Sequence, residues 1–420
     1  MADTFQAHRD YLGRRYFGSL DGLRCVAILA VICYHCGITA SGLFGYRGPL
    51  GVSFFFVISG FLITTLILRE RDKYGFISLR DFYARRTLRI FPLYYAVLAF
   101  TTLFVICFEH PSPAKTQFFH NIPSFLTYTA NWFVNVASDR RIIFGVAWSL
   151  STEEQFYLIW PSVVSFSRRS RWFPVVLATV LGTANIILVS LVDAQKLNLG
   201  MPWENIVLLT APSGICFGCL LAYALNDQKM FMRLHGLLSP RWMALLALGG
   251  LIILTYIPPI PHFVVNALLM LTPHAIVLNR IPRMPNVLIL VFMLLSLGTT
   301  VVQQDHYLKP LLEAKPIKLI GAISYGIYLM HVLVLNLGRR VLQIESPGVL
   351  VLFTLPTVSL IAWLSYRYWE APFLRYKDRF AKGPRTAEPV MTPPTRLEQA
   401  AIAASHFSQA PDKSAATMPT

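Results

Sequence analysis

Residues 20–35 read Leu20-Asp21-Gly22-Leu23-Arg24-Cys25-Val26-Ala27-Ile28-Leu29-Ala30-Val31-Ile32-Cys33-Tyr34-His35. Past Arg24 the run is apolar until His35, so two ionisable side chains bracket a segment that would otherwise dissolve readily in a bilayer. Runs of about 20 apolar residues, enough to cross a hydrocarbon core of about 30 Å, recur along most of the chain. They fall near 20–39, 50–69, 90–108, 146–166, 173–192, 205–225, 241–257, 262–279, 285–302, 317–337 and 349–369. The composition agrees, with 55% hydrophobic and 14% charged residues and a mean hydropathy of +0.53. A soluble domain is about one quarter charged. The expected fold class is all-α: a polytopic integral membrane helical bundle of about ten transmembrane helices.

The formal charge of +16 does not point to nucleic acid, because Lys and Arg gather in short connections between apolar runs. Arg69, Arg71, Lys73, Arg80, Arg85, Arg86 and Arg89 crowd the second connection, which the positive-inside rule assigns to the cytoplasm together with the N-terminus. A basic segment from Arg375 should also lie inside, which requires an even number of crossings. The segment 262–279, broken by Pro273, is then the one expected to be re-entrant or interfacial. Residues 1–17 form a cytoplasmic N-terminal segment, 18–377 a membrane domain, and 378–420, rich in Pro, Ala, Ser and Thr, a disordered cytoplasmic tail. The stretch 109–145 is expected to be an extracytoplasmic loop able to act as a lid or acceptor site. Cys33/Cys36 and Cys216/Cys219 have CxxC spacing, but lie on apolar helices where packing accounts for them, and no metal is expected.

Several polar constellations carry possible chemistry. Arg24 and His35 lie eleven residues apart, so both face one side of a helix about 16 Å apart along its axis. Arg24 can pair with Asp21 or snorkel to the cytoplasmic edge, or it can hold an anion; His35, an imidazole buried in lipid, needs a partner. Trp148-Ser149-Leu150-Ser151-Thr152-Glu153-Glu154-Gln155-Phe156-Tyr157 is expected to enter from the outer interface at Trp148, which brings Glu153 to a depth comparable with His35. A carboxylate there would orient the imidazole for general-base work. Arg86 and Arg89, three apart, can clamp phosphate, although topology or anionic lipid routinely accounts for such clusters and, taken alone, is the stronger reading. Gly51 and Gly60 permit close approach of helices or of a ligand. Tyr328 and His331, one turn apart, and Tyr366 and Glu370, at i and i+4, form polar stripes facing protein.

In combination these segments resemble the acyltransferase-3 family of membrane O-acyltransferases, over about residues 18–377. The family's Arg followed eleven residues later by His matches Arg24 and His35, and its RxxR matches Arg86 and Arg89. Its W-S-L-x-x-E-x-Q-F-Y element matches Trp148 to Tyr157, including Glu153, Gln155 and Tyr157; S-Y-x-x-Y-L-x-H matches Ser324, Tyr325, Tyr328 and His331; Y-x-x-x-E-x-P matches Tyr366, Glu370 and Pro372.

The resemblance implies an enzyme that moves an acyl group, most often acetyl, from cytoplasmic acyl-CoA to a hydroxyl of a cell-surface glycan or lipid-linked sugar. It implies a bacterial inner membrane, acyl-CoA as a substrate and not a resident cofactor, His35 as base with Glu153 as its partner, and Arg24, Arg86 and Arg89 as the acyl-CoA site. It also implies a stand-alone form without an appended SGNH domain, which either completes the transfer or passes the group to a separate extracytoplasmic partner. A second class, a proton-coupled glycan or lipid transporter, would use the same ionisable residues as a relay.

Overall fold

The computed structural model describes residues 2–14, 16–38, 48–135, 142–167, 172–193, 197, 200, 202–256, 285–377 and 380. The chain divides into two units, Met1–Arg379 and Phe380–Thr420. The second lies outside the described residues apart from Phe380, and with it the expected tail; so does the expected segment 262–279.

Among the described residues there is no strand, and helices make up nearly all of the ordered backbone. In chain order they are α1 (Ala2–Gly13), α2 (Gly18–His35), α3 (Gly48–Tyr74), α4 (Leu79–Phe108), α5 (Pro113–Leu126), α6 (Ala130–Phe133), α7 (Ala147–Phe166), α8 (Trp172–Asp193), α9 (Trp203–Leu209), α10 (Ser213–Asn226), α11 (Gln228–Leu238) and α12 (Met243–Tyr256). After the undescribed stretch come α13 (Pro285–Val302), α14 (Lys309–Leu312), α15 (Lys315–Ala322), α16 (Ser324–Arg340), α17 (Pro347–Ser365), a π-helical turn (Tyr366–Glu370) and α18 (Ala371–Lys377).

The protein is an all-α, multi-pass membrane protein. Five helical stretches among the described residues are long and apolar enough to cross a bilayer, or up to seven if each of two sharply bent helix pairs is one span, against the roughly ten expected. The difference has physical causes. Pro212 ends the expected span 205–225 as a single helix, leaving α9 and α10 on either side of the break. Asn185 of α8 repairs that break, donating to the Leu208 carbonyl and accepting from the Ser213 amide. Helix α7 is long enough, but Ser149, Ser151, Thr152, Glu153, Glu154 and Gln155 make it polar, and such residues are tolerated only where protein encloses them.

The core is built around α3, which lies against both α2 and α10. A Cβ at Gly51 would stand 2.5 Å from the Ala27 carbonyl oxygen of α2, and one at Gly60 would strike the Ile215 carbonyl of α10. Of the two uses read for these glycines, helix packing is the one realised. Gly75, at φ 74°, takes the left-handed conformation that closes the C-terminus of α3, with its amide on the Arg71 carbonyl. Glu70 then clamps the turn, accepting from the Ser78 amide at 2.9 Å and from Arg85 at 3.0 Å.

The stretch 109–145 is more than a surface loop. Lys115 caps the Ile106 and Glu109 carbonyls at one end, while Tyr94 and Tyr95 of α4 donate to the Phe125 and Leu126 carbonyls at the other. Helix α5 therefore runs back antiparallel along α4, returning the chain about 20 Å towards the interior. The outer faces of α4, α8 and α17 expose Phe100, Leu103, Val180, Ile187, Leu352 and Leu360, the surface expected of helices facing lipid.

Gly60→Leu is expected to destabilise the detergent-solubilised protein by about 1–3 kcal/mol through overpacking, visible as a lower melting midpoint. Gly249→Leu in α12, where a side chain meets nothing within 4 Å, should change it by less than about 0.5 kcal/mol.

Candidate active site

A cavity of about 90 Å³ lies among α2, α3, α4, α7 and the junction of α15 with α16. Its wall includes Arg24, Arg86 and Arg89, the two carboxyls Glu153 and Glu154, and Ser59, Tyr157, Ser324, Tyr325 and Tyr328. This volume holds a few waters or an acetyl-sized group.

Each element presents these groups for a local reason. On α7, Ser149, Glu153 and Tyr157 recur every four residues and so form one stripe. Phe144, at φ 62°, makes the turn that starts this helix, a strained conformation for an aromatic residue. Helices α15 and α16 meet at 77° at Ile323, which brings Ser324 and Tyr325 to the cavity wall. Tyr325 is anchored by donating to the Ile90 carbonyl at 3.0 Å. On α4, the pair Arg85 and Arg86 separates: Arg85 turns to Glu70, whereas Arg86 and Arg89 turn to the cavity.

Glu153 is held by two hydroxyls, from Ser59 at 2.9 Å and from Tyr157 at 3.0 Å. The Arg86 guanidinium carbon lies 3.6 Å from the centre of the Tyr157 ring, a tight cation–π contact, and its buried Nε has no hydrogen-bond partner. Arg24 makes a 3.4 Å ion pair with Asp21 and also lines the cavity.

His35 stands elsewhere. Its Nδ1 lies 2.9 Å from the Val31 carbonyl and 3.3 Å from Nε2 of the buried His331, with ring centres 4.8 Å apart. The expected meeting of His35 with Glu153 is not made. Trp148 packs against Phe56 of α3, and Glu153 lines the cavity with Arg24 instead of facing His35. Tyr328 links the two centres. Its hydroxyl meets Ser149 at 2.6 Å beside the cavity, and its carbonyl meets His331 Nδ1 at 2.6 Å.

Three other anticipated residues lie off this cavity. Gln155 exchanges two 2.9 Å hydrogen bonds with Asn131 and donates to the Tyr128 carbonyl, fastening α6 to α7. Tyr366 is exposed, and Glu370 accepts from Ser365 at 3.4 Å within the π-helical turn. Ser59 and Ser149 were not singled out as site residues; the four-residue stripe on α7 was the signal for Ser149, whereas Ser59 depends on α3 packing.

A family described as an acyltransferase domain matches residues 17–367, a range that contains every cavity residue, His35 and His331. The chain belongs to this acyltransferase family. It is 30% identical over 378 residues to the peptidoglycan O-acetyltransferase OatA of Listeria monocytogenes, covering 86% of this chain and 56% of that protein. It is 28% identical over 388 residues to the putative peptidoglycan O-acetyltransferase YrhL of Bacillus subtilis, covering 85% and 55%. A putative O-acetyltransferase of Staphylococcus aureus is 35% identical over 161 residues, covering 37% of this chain and 26% of its own length. The chain thus spans just over half of OatA and YrhL. No solved structure matches it. Among the anticipated site residues, Glu370 alone falls outside the matched range.

Removing Gln155 leaves the buried amide of Asn131 without its partner. Gln155→Ala should therefore cost about 1–3 kcal/mol in thermal or denaturant unfolding, and the double variant with Asn131→Ala should cost less than the sum of the two single changes.

Proposed function

We propose that the protein is a membrane O-acyltransferase that carries an acyl group, most simply acetyl, from cytoplasmic acyl-CoA to a hydroxyl of a cell-surface glycan. The observation that carries this reading is the gathering of Arg24, Arg86 and Arg89 around one cavity, joined through Tyr328 to the His35–His331 pair. Two of the relatives are named as peptidoglycan O-acetyltransferases or putative ones, which makes a peptidoglycan sugar the first acceptor to test.

In this scheme the arginine end faces the cytoplasm of a bacterial inner membrane, as the basic connection between α3 and α4 suggests, and both termini lie on that side. Arginine suits the phosphate-rich end of CoA, because its planar fork stays charged and binds phosphate bidentately. The pantetheine arm runs along α2 and α16, past Tyr328 and Ser149, towards His35. Arg24 and His35 stand about 16 Å apart along α2, a span that a pantetheine arm can bridge.

His35 Nε2 takes the proton of the acceptor hydroxyl as its oxygen forms a bond to the thioester carbonyl. The carbon–sulfur bond then breaks, and the imidazolium returns the proton to the departing thiolate. General-base assistance of this kind contributes about 10² to 10⁴ in rate. Glu153, held by Ser59 and Tyr157, serves the arginine end, where it balances the cationic side chains. A separate extracytoplasmic partner is needed only if the acceptor does not reach His35 itself.

In proteoliposomes supplied with acyl-CoA inside and a glycan acceptor outside, His35→Ala should abolish the gain of acyl mass on the acceptor while the protein still inserts and melts normally. Substantial transfer by this variant would sink the scheme, and movement of glycan without any added mass would favour transport instead. Arg86→Gln should raise KM for acyl-CoA about tenfold or more and leave kcat less affected, since it removes binding and not chemistry.

A further inference from the structure

The two imidazoles constrain one another's protons. His331 is fully buried, and its Nδ1 lies 2.6 Å from the Tyr328 carbonyl, an atom that only accepts, so Nδ1 carries the proton and Nε2 of the neutral ring carries a lone pair. His35 Nδ1 faces the Val31 carbonyl at 2.9 Å and that lone pair at 3.3 Å, which makes it a donor too. His35 Nε2 takes part in none of the described hydrogen bonds. Val31 O already belongs to the backbone ladder of α2, and Arg339 donates to the His35 carbonyl at 3.0 Å, bringing positive charge beside the ring. Among the described residues no carboxylate contacts His35; the one side-chain acceptor on its Nδ1 is His331.

We infer that His331 is a positioning residue for His35, accepting its Nδ1 proton and so keeping Nε2 as the basic nitrogen aimed at the acceptor hydroxyl. This rests on the reading of His35 as the base. When His35 becomes an imidazolium in the transfer step, its Nδ1–H bond to the His331 lone pair strengthens, and the pair shares the new charge. The role matches that of the carboxylate in an acid–histidine pair, performed by a neutral ring that costs less to bury than a charge does. It also accounts for the break between α15 and α16, which sets the rotation of α16 so that Tyr328 faces the cavity and His331 faces α2.

The test has two parts on the full-length protein. In ¹⁵N-histidine spectra of nanodisc samples, assigned with His35→Gln and His331→Gln, both rings should show a protonated Nδ1 and an unprotonated Nε2. An Nε2-protonated His35 overturns the inference whatever the activity. In the transfer assay, His331→Phe should lower kcat about 10- to 100-fold, the usual effect of losing an orienting partner, with KM for acyl-CoA unchanged.

His331→Gln, whose Oε1 can accept the same proton, should recover much of that loss. A fully active His331→Phe overturns the inference, as does a folded His331→Gln no better than Phe. If His35→Ala transfers normally while the wild-type tautomers are as described, the base reading itself has failed, and the positioning role goes with it. Should His331→Phe not fold, the spectra and the Gln variant still decide.

Discussion

Charged groups inside an apolar bundle have no water to fall back on, and that constraint orders the interior of this protein. Arg24, Arg86 and Arg89 come from α2 and α4, and Glu153 and Glu154 from α7, yet all five line the same cavity. Dispersing them over the lipid-facing surface would expose each to hydrocarbon, at a cost of several kcal/mol per group. Enclosure reduces that cost only if the helices approach closely and in one register. The glycines supply the closeness: Gly51 lets α3 rest on α2, and Gly60 lets it rest on α10. The cavity therefore depends on backbone contacts made beside it, since Gly51 and Gly60 adjoin the lining residues Val52 and Ser59.

The second consequence is a division of labour along α16. Ser324, Tyr328 and His331 recur at helical spacing, so one helix serves both the arginine cavity and the imidazole pair. Its sharp junction with α15 at Ile323 turns this stripe inward. The hydroxyl of Tyr328 and its carbonyl point to different partners, Ser149 and His331, which couples the two centres mechanically without linking them by a single chain of hydroxyls. A displacement at either end is thereby felt at the other.

Chain connections that read as loops contribute to the same end. Helix α5 doubles back along α4 and delivers Tyr128 and Asn131 to the interior, where the Gln155 amide fastens them to α7. Irregular backbone at that depth is tolerated because protein surrounds it. Held in this way, α7 turns Glu153 towards the arginines instead of His35.

Hydropathy and local spacing alone were enough to establish an all-helical membrane protein, to single out Arg24, His35, Arg86, Arg89 and Glu153, and to carry the family resemblance. These are short-range properties: an apolar run of sufficient length has one stable home, and side chains three, four or eleven residues apart share a helical face whatever surrounds them. Tertiary structure decided which of those faces meet. His35 finds His331 some 300 residues later, Glu153 finds Ser59 and Arg86, and Gln155 finds Asn131. Those pairings depend on the depth, rotation and breakage of each helix, which are set by glycine contacts and by residues such as Pro212 acting against neighbouring helices, and a pattern read along one helix contains no record of its neighbours.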